Sequence, residues 1–120
     1  MTTQEVANRY YELTSENKFD ILLDELYSND IECIEPPNNG IASLQNIKGL
    51  DAKKEKDKNF GEAMEEMHSA YCDEPTVAGK YFSLKMGMDV TMKGIGRMNM
   101  DEICIFEVED GKIIKEQFFY

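Results

Sequence analysis

Positive charge is scarce in this chain: 13 Lys and Arg stand against 24 Asp and Glu, a formal net charge of −11. A surface of that sign repels phosphate backbones and anionic lipid, so neither nucleic acid nor a membrane surface is expected as a partner. Metal-binding residues are equally sparse. The single histidine, His68, and the three widely spaced cysteines, Cys33, Cys72 and Cys104, form no CxxC pair or Cys/His cluster. That excludes the usual structural zinc site, and an odd, scattered set suits reduced thiols better than a disulfide framework. Nowhere do about 18 apolar residues run together, and the amino terminus has neither the basic stretch nor the apolar run of a secretion signal. A cytoplasmic setting is the expectation. No G-x-S-x-G elbow occurs, and Gly94-Ile95-Gly96 lacks the third glycine of a phosphate loop, so nucleophilic hydrolysis and nucleotide binding lack their sequence signals. No metal and no cofactor are expected.

What is present is the composition of one folded domain: 120 residues, 42% hydrophobic and 31% charged, with the two kinds interleaved. That length leaves no room for a second independent core. Between Thr2 and Tyr27 the apolar residues recur at helical intervals, first Val6, Tyr10 and Leu13, then Phe19, Leu22, Leu23 and Leu26. Two helices follow from that spacing, and Thr2 with Glu5 has the pattern of a capping box for the first. Ile31 to Glu35 alternates with period two and stops at Pro36-Pro37, which reads as a first strand. Pro36 to Lys48 is a loop long enough to rim or cover a site. Gly49 to about Met67 reads as a third helix, with Leu50, Phe60, Met64 and Met67 as its buried stripe. Its lysines, Lys53, Lys54, Lys56 and Lys58, alternate with acids and are expected on a solvated face.

After Met67 the period changes to two. Phe82, Leu84, Met86 and Met88 share one face of a long strand. Beyond a turn at Lys93-Gly94, Met98, Met100, Glu102, Cys104, Phe106 and Val108 share one face of the next. Asp110-Gly111 supplies the residues a tight hairpin favours, and Lys112 to Tyr120 is the last strand. Strands this long must curve to stay packed on a helical layer, with Gly79, Gly87 and Gly96 as places to bend. A curved sheet over helices encloses a cone whose open mouth suits a small ligand.

This order of elements resembles the nuclear transport factor 2-like superfamily, particularly its SnoaL-like polyketide cyclase and ketosteroid isomerase branches. The residues that carry the resemblance are Arg9-Tyr10-Tyr11, Ile34-Glu35-Pro36, Gly49-Leu50-Asp51-Ala52 and the segment from Phe106 to Ile113. It implies an α+β fold: a cone-shaped, curved antiparallel sheet wrapped around three helices from the first half of the chain, cystatin-like in outline. It also implies three catalytic positions: Tyr10 as a hydroxyl donor, Glu35 as a base before a proline, and Glu102 as a second acid on the penultimate strand. Both acids are glutamate where that pattern has aspartate, which moves each carboxylate outward by one methylene. The superfamily hosts enzymes, binding modules and transport factors. Three readings follow: an acid/base isomerase, cyclase or dehydratase, a noncatalytic ligand-binding or dimerisation module, or a protein-interaction module whose acidic surface meets a basic partner.

Glu102 is the one polar residue of its parity between Met98 and Val108, and a carboxylate among apolar side chains is drawn toward its neutral form. The ligand-binding residues expected of the cone are Phe60, Met64, Phe82, Met86, Met100, Cys104 and Phe118. His68 is either a rim histidine or an acid/base group. Ile103 and Ile105, on the opposite parity to Glu102, are expected to face outward, and an apolar convex face implies a homodimer through the sheet.

Overall fold

A computed structural model describes residues 1–120. Helix α1 (Thr3–Ser15) opens on the capping box read from the sequence, the Thr2 hydroxyl accepting from the Glu5 amide while the Glu5 carboxylate accepts from the Thr2 amide. Helix α2 (Phe19–Leu26) lies against it, and Arg9 forks across the pair to the Glu25 carboxylate at 3.0–3.1 Å. Strand β1 (Tyr27–Ile34) follows without a loop, beginning four residues earlier than the alternation suggested. The short β2 (Ile47–Lys48) pairs with it, and Gly49, at φ +93°, turns the chain into helix α3 (Leu50–Ala63). The helix stops at Ala63 and not near Met67. Met64 to Cys72 is a strand, β3, so Met64 and Met67 belong to the sheet.

Strands β4 (Thr76–Ala78), β5 (Tyr81–Met92), β6 (Gly96–Glu109) and β7 (Lys112–Phe119) complete a curved, unclosed sheet of order β2-β1-β7-β6-β5-β3, with β4 on β5. All pairings are antiparallel but one, because β1 joins β7 in parallel. The β6–β7 turn carries positive φ at both Asp110 (50°) and Gly111 (74°), as a two-residue primed turn requires. Among the glycines expected to bend the sheet, Gly87 lies inside a strand. Gly79 sits in the β4–β5 turn and Gly96 at the start of β6. A side chain at Gly87 would collide with the Tyr71 ring at 2.6 Å and the Met100 carbonyl at 2.8 Å. Its absence lets Tyr71 lie flat over the convex face and donate to Asp101 at 2.7 Å.

The parity read along β6 is the parity observed: Met100, Cys104, Phe106 and Val108 are buried on the concave side, while Ile103 (55% exposed) and Ile105 (41%) stand outside. Phe82 and Phe106 face each other in register, their rings stacked at 4.5 Å, and Tyr10 packs on Phe106 at 4.8 Å. This aromatic group fills the narrow end of the cone together with Val6, Leu13, Leu26 and Ile113. A smaller cluster of Ile41, Val90, Met92 and Met100 packs the part of the sheet beyond it. Between the two clusters the concave face is not filled by side chains, and there the cavity lies.

Candidate functional site

Helix α3 crosses the cone's open side and carries the residues that organise it. Leu50, Lys53, Asp57 and Phe60 recur at the three- and four-residue spacing that puts them on one face, with Lys56 beside them. That face turns inward. Lys53 and Lys56 are therefore buried, against the expectation that the whole lysine run is a solvated face, while Lys54 and Lys58 do lie outside. A long aliphatic stem lets a lysine occupy a core position when its ammonium finds a carboxylate at the far end.

Each of the two finds one. Lys53 Nζ meets Glu116 Oε1 on β7 at 2.7 Å and Asp57 at 3.0 Å. Glu116 is 1% exposed and accepts further from the Tyr27 hydroxyl at 2.5 Å and the Cys33 thiol at 3.2 Å. Burial alone would raise its proton affinity, but Lys53 and these donors outweigh burial and hold the Glu116 carboxyl below the usual range. Burial likewise opposes the charge on Lys53, yet Glu116 and Asp57 keep its ammonium well above the ordinary lysine value. Lys56 Nζ meets Glu35 Oε2 at 2.5 Å and lies 2.9 Å from Cys33 Sγ. The other Glu35 oxygen accepts from the Tyr120 hydroxyl at 2.7 Å, and Asn46 accepts from the Glu35 amide at 2.7 Å. Both lysines pass within 5.7 Å of the Phe118 ring centroid.

Of these groups, Lys53, Lys56, Glu35, Glu116, Tyr27 and Phe118 line a cavity of about 760 Å³. On β3, β5 and β6 its wall is apolar, made of Met64, Met86, Met88 and Met100, and Phe60 of α3 lines it too. From that wall projects Glu102, opposite Met86 on the neighbouring strand. No cation pairs with it, and its sole hydrogen bond is a weak one from the Cys104 thiol at 3.7 Å. Burial first, and the charge of Glu35 second, push the Glu102 carboxyl from 4.5 up to about 7. Tyr10 also lines the cavity, and its hydroxyl donates to no group of the chain. Burial raises its pKa well above the ordinary tyrosine value, so it remains a proton-bearing donor. The buried part of the lining thus holds two saturated ion pairs, one uncompensated acid and one free hydroxyl, while Asp20, Lys58 and the Lys54–Asp24 pair line its exposed part. Such an arrangement can hold a small, mostly apolar molecule and exchange a proton with it.

The structure brings Tyr10, Glu35 and Glu102 to the same cavity, as the sequence suggested. Phe60, Met64, Met86, Met100 and Phe118 line it too. Phe82 and Cys104 do not. Phe82 is consumed by the stack on Phe106 and Tyr10, and Cys104 lies fully buried behind Glu102. Tyr10 and Glu102 are not hydrogen-bonded to each other. His68 sits on β3 with Nε2 2.8 Å from the Thr91 hydroxyl, away from the cavity residues. Sequence reading missed Lys53, Lys56, Glu116, Tyr27 and Tyr120. A signal was there for two of them: Lys53 and Glu116 each stand at a position whose neighbours in period, Leu50 with Phe60 and Phe118, are apolar.

No residue cluster of the kind that holds a metal ion is present. A buried carboxylate stripped of its cation is costly to the fold. Replacing Lys53 by Met should therefore destabilise the protein by about 3–5 kcal/mol in urea unfolding, and adding Glu116→Gln should restore much of that loss. Lys54→Ala should stay within about 0.5 kcal/mol of the parent. Equal effects of the Lys53 and Lys54 changes would contradict the buried pairing.

A model of the SnoaL-like domain matches residues 1–120. A Mesorhizobium loti protein described as a SnoaL-like polyketide cyclase, and also as a carbohydrate phosphatase, is 30% identical over 100% of both chains, with a TM-score of 0.90. An NTF2-like protein of unknown function from Burkholderia pseudomallei shares 15% identity over 100% of this chain and 91% of its own, with a TM-score of 0.79. TerC, co-crystallised with polyporic acid, shares 16% identity over 98% of this chain and 90% of its own, with a TM-score of 0.76. No curated protein matches. The capped α1, the α3 that closes the cone and the curved sheet that the family model spans from end to end place this chain in the SnoaL-like domain family.

Proposed function

We propose that the cavity binds a small, mostly apolar molecule bearing a carbonyl group, and that Glu102 moves a proton at the carbon next to that carbonyl. The observation that carries this reading is the uncompensated carboxyl of Glu102 on an apolar wall, with its pKa near 7. A group that titrates close to the working pH is both available in its basic form and able to return the proton as an acid. Tyr10 is the donor for the oxygen on which negative charge develops, because its hydroxyl is unengaged and faces the same space. Glu35 is less suited to be the base, since both of its oxygens already accept from Lys56 and Tyr120. Its role is electrostatic: its charge helps to hold the proton on Glu102. Isomerisation, cyclisation and dehydration all need that proton step and no cofactor. The description of the Mesorhizobium loti relative as a polyketide cyclase and the co-crystal of TerC with polyporic acid are consistent with an organic ligand in this place.

Proton transfer is measured as hydrogen–deuterium exchange at the α-carbon of an aryl ketone such as 2-tetralone in D2O. The protein should accelerate exchange, with a rate that rises as pH passes through about 7 while Glu102 ionises. Glu102→Gln should lower the accelerated rate by a factor of at least about 100. Binding of the ketone without accelerated exchange would instead favour the noncatalytic ligand-binding reading.

The convex face supports a second element of the proposal, a homodimer through the sheet. Ile103, Ile105, Tyr81 and Phe119 are all exposed there, more apolar surface than a strand exterior usually presents. Sedimentation at micromolar concentration should give a dimer and Ile103→Lys with Ile105→Lys a monomer, whereas a monomeric parent would overturn this element.

A further inference from the structure

We propose that Cys33 and Lys56 form a covalent sulfur–oxygen–nitrogen bridge on exposure to peroxide, tying strand β1 to helix α3 beside the cavity. Lys56 Nζ lies 2.9 Å from Cys33 Sγ. A single oxygen atom placed between two atoms at that separation can bond both without moving either element. A direct sulfur–nitrogen bond would need the helix and strand to close by more than a bond-length adjustment. Both residues sit on regular secondary structure and both are buried, so the pair is held together and not merely visited.

Each reacting atom also touches a carboxylate. Glu35 Oε2, 2.5 Å from Lys56 Nζ, can take the proton that turns the ammonium into a nucleophilic amine. Glu116 Oε1 accepts from the Cys33 thiol at 3.2 Å and orients it, and the thiol proton leaves with the departing peroxide oxygen as water. Burial pushes the Cys33 thiol up to about 12, so at rest it keeps that proton and is inert to bulky reagents. Lys56, Glu35 and Glu116 line the cavity, and Cys33, itself fully buried, lies in contact with all three directly behind that lining, so the oxidant has to be as small as peroxide. The other thiols lack this company: Cys104 donates to Glu102, and Cys72 to the Asp73 carbonyl.

The chemistry balances with hydrogen peroxide as the oxidant. One peroxide oxidises the Cys33 sulfur by two electrons to the sulfenic acid and leaves one water. A second oxidises the Lys56 amine by two electrons to the hydroxylamine and leaves another. Condensation of the two hydroxyl-bearing atoms expels a third water and leaves S–O–N, in which sulfur and nitrogen share one peroxide oxygen. The bridged nitrogen is a much weaker base than an alkylamine, so oxidation removes the cation that faces Glu35. The link itself does not depend on the proton transfer proposed for Glu102, and its test has no activity readout.

The reduced protein is treated with hydrogen peroxide, quenched with catalase, denatured, alkylated with iodoacetamide and mapped after cleavage at acidic residues. The expected product joins the Cys33 and Lys56 peptides with a mass equal to their sum plus one oxygen minus two hydrogens. Cys72 and Cys104 should remain alkylated, dithiothreitol should release the pair, and Lys56→Arg should give none of it. Recovery of Cys33 as an alkylated thiol, as a sulfinic acid, or as a sulfenamide lighter by two hydrogens would overturn the proposal. So would the same joined mass in Lys56→Arg.

Discussion

The interior of this fold depends on two lysines of α3 reaching across the cone to one carboxylate on β7 and one just past the end of β1. Lys53 meets Glu116 and Lys56 meets Glu35, each within 2.7 Å and each largely out of water. An isolated charge in such a place would be untenable, and a bare ion pair there barely repays its own desolvation. The pairs are tolerable because their remaining valences are filled by Tyr27, Cys33, Tyr120 and Asp57. In return they fix the helix over the open side of the sheet, and the space left between helix and sheet is the cavity.

Saturation of those pairs is also what isolates Glu102. Every cationic group that enters the interior already belongs to another acid, so Glu102 is left with a thiol and methionines for company. Burial and the nearby Glu35 charge then favour its protonated form. Because the folded protein holds this proton to higher pH than an exposed glutamate would, Glu102 makes stability fall as pH rises from about 4.5 to about 7. Glu116 acts in the opposite sense, its stabilising effect being lost as pH falls below the usual carboxylate range. A group that weakens the fold near neutrality and faces an open cavity is well placed to act on a ligand.

The sheet was legible in the sequence because its signals are local. Alternation along β5 and β6 placed Met100, Cys104 and Phe106 inside and Ile103 and Ile105 outside, and Asp110-Gly111 marked the last hairpin. The resemblance in Arg9-Tyr10-Tyr11 and Glu35-Pro36 gave the α+β cone. The helix–strand boundary at Ala63 escaped because Met64 and Met67 continue a helical period as readily as they begin a strand. The polar half of the site escaped for a different reason. Lys53 is marked locally only by the apolar Leu50 and Phe60 in its period, and the burial of Lys53 and Lys56 alike is decided by carboxylates 63 and 21 residues away, Glu116 and Glu35. Phe82 has the right parity for the cavity, but its register with Phe106 turns it into core.

The claim on which the account rests is that compensation is complete for Glu35 and Glu116 and absent for Glu102. Carbon-13 NMR titration of the glutamate side-chain carboxyls tests it in the unmodified protein. The account predicts that the Glu102 resonance titrates near pH 7 while that of Glu116 titrates below the ordinary glutamate range. A Glu102 carboxyl that ionises with the exposed glutamates, at about 4.3, would contradict it.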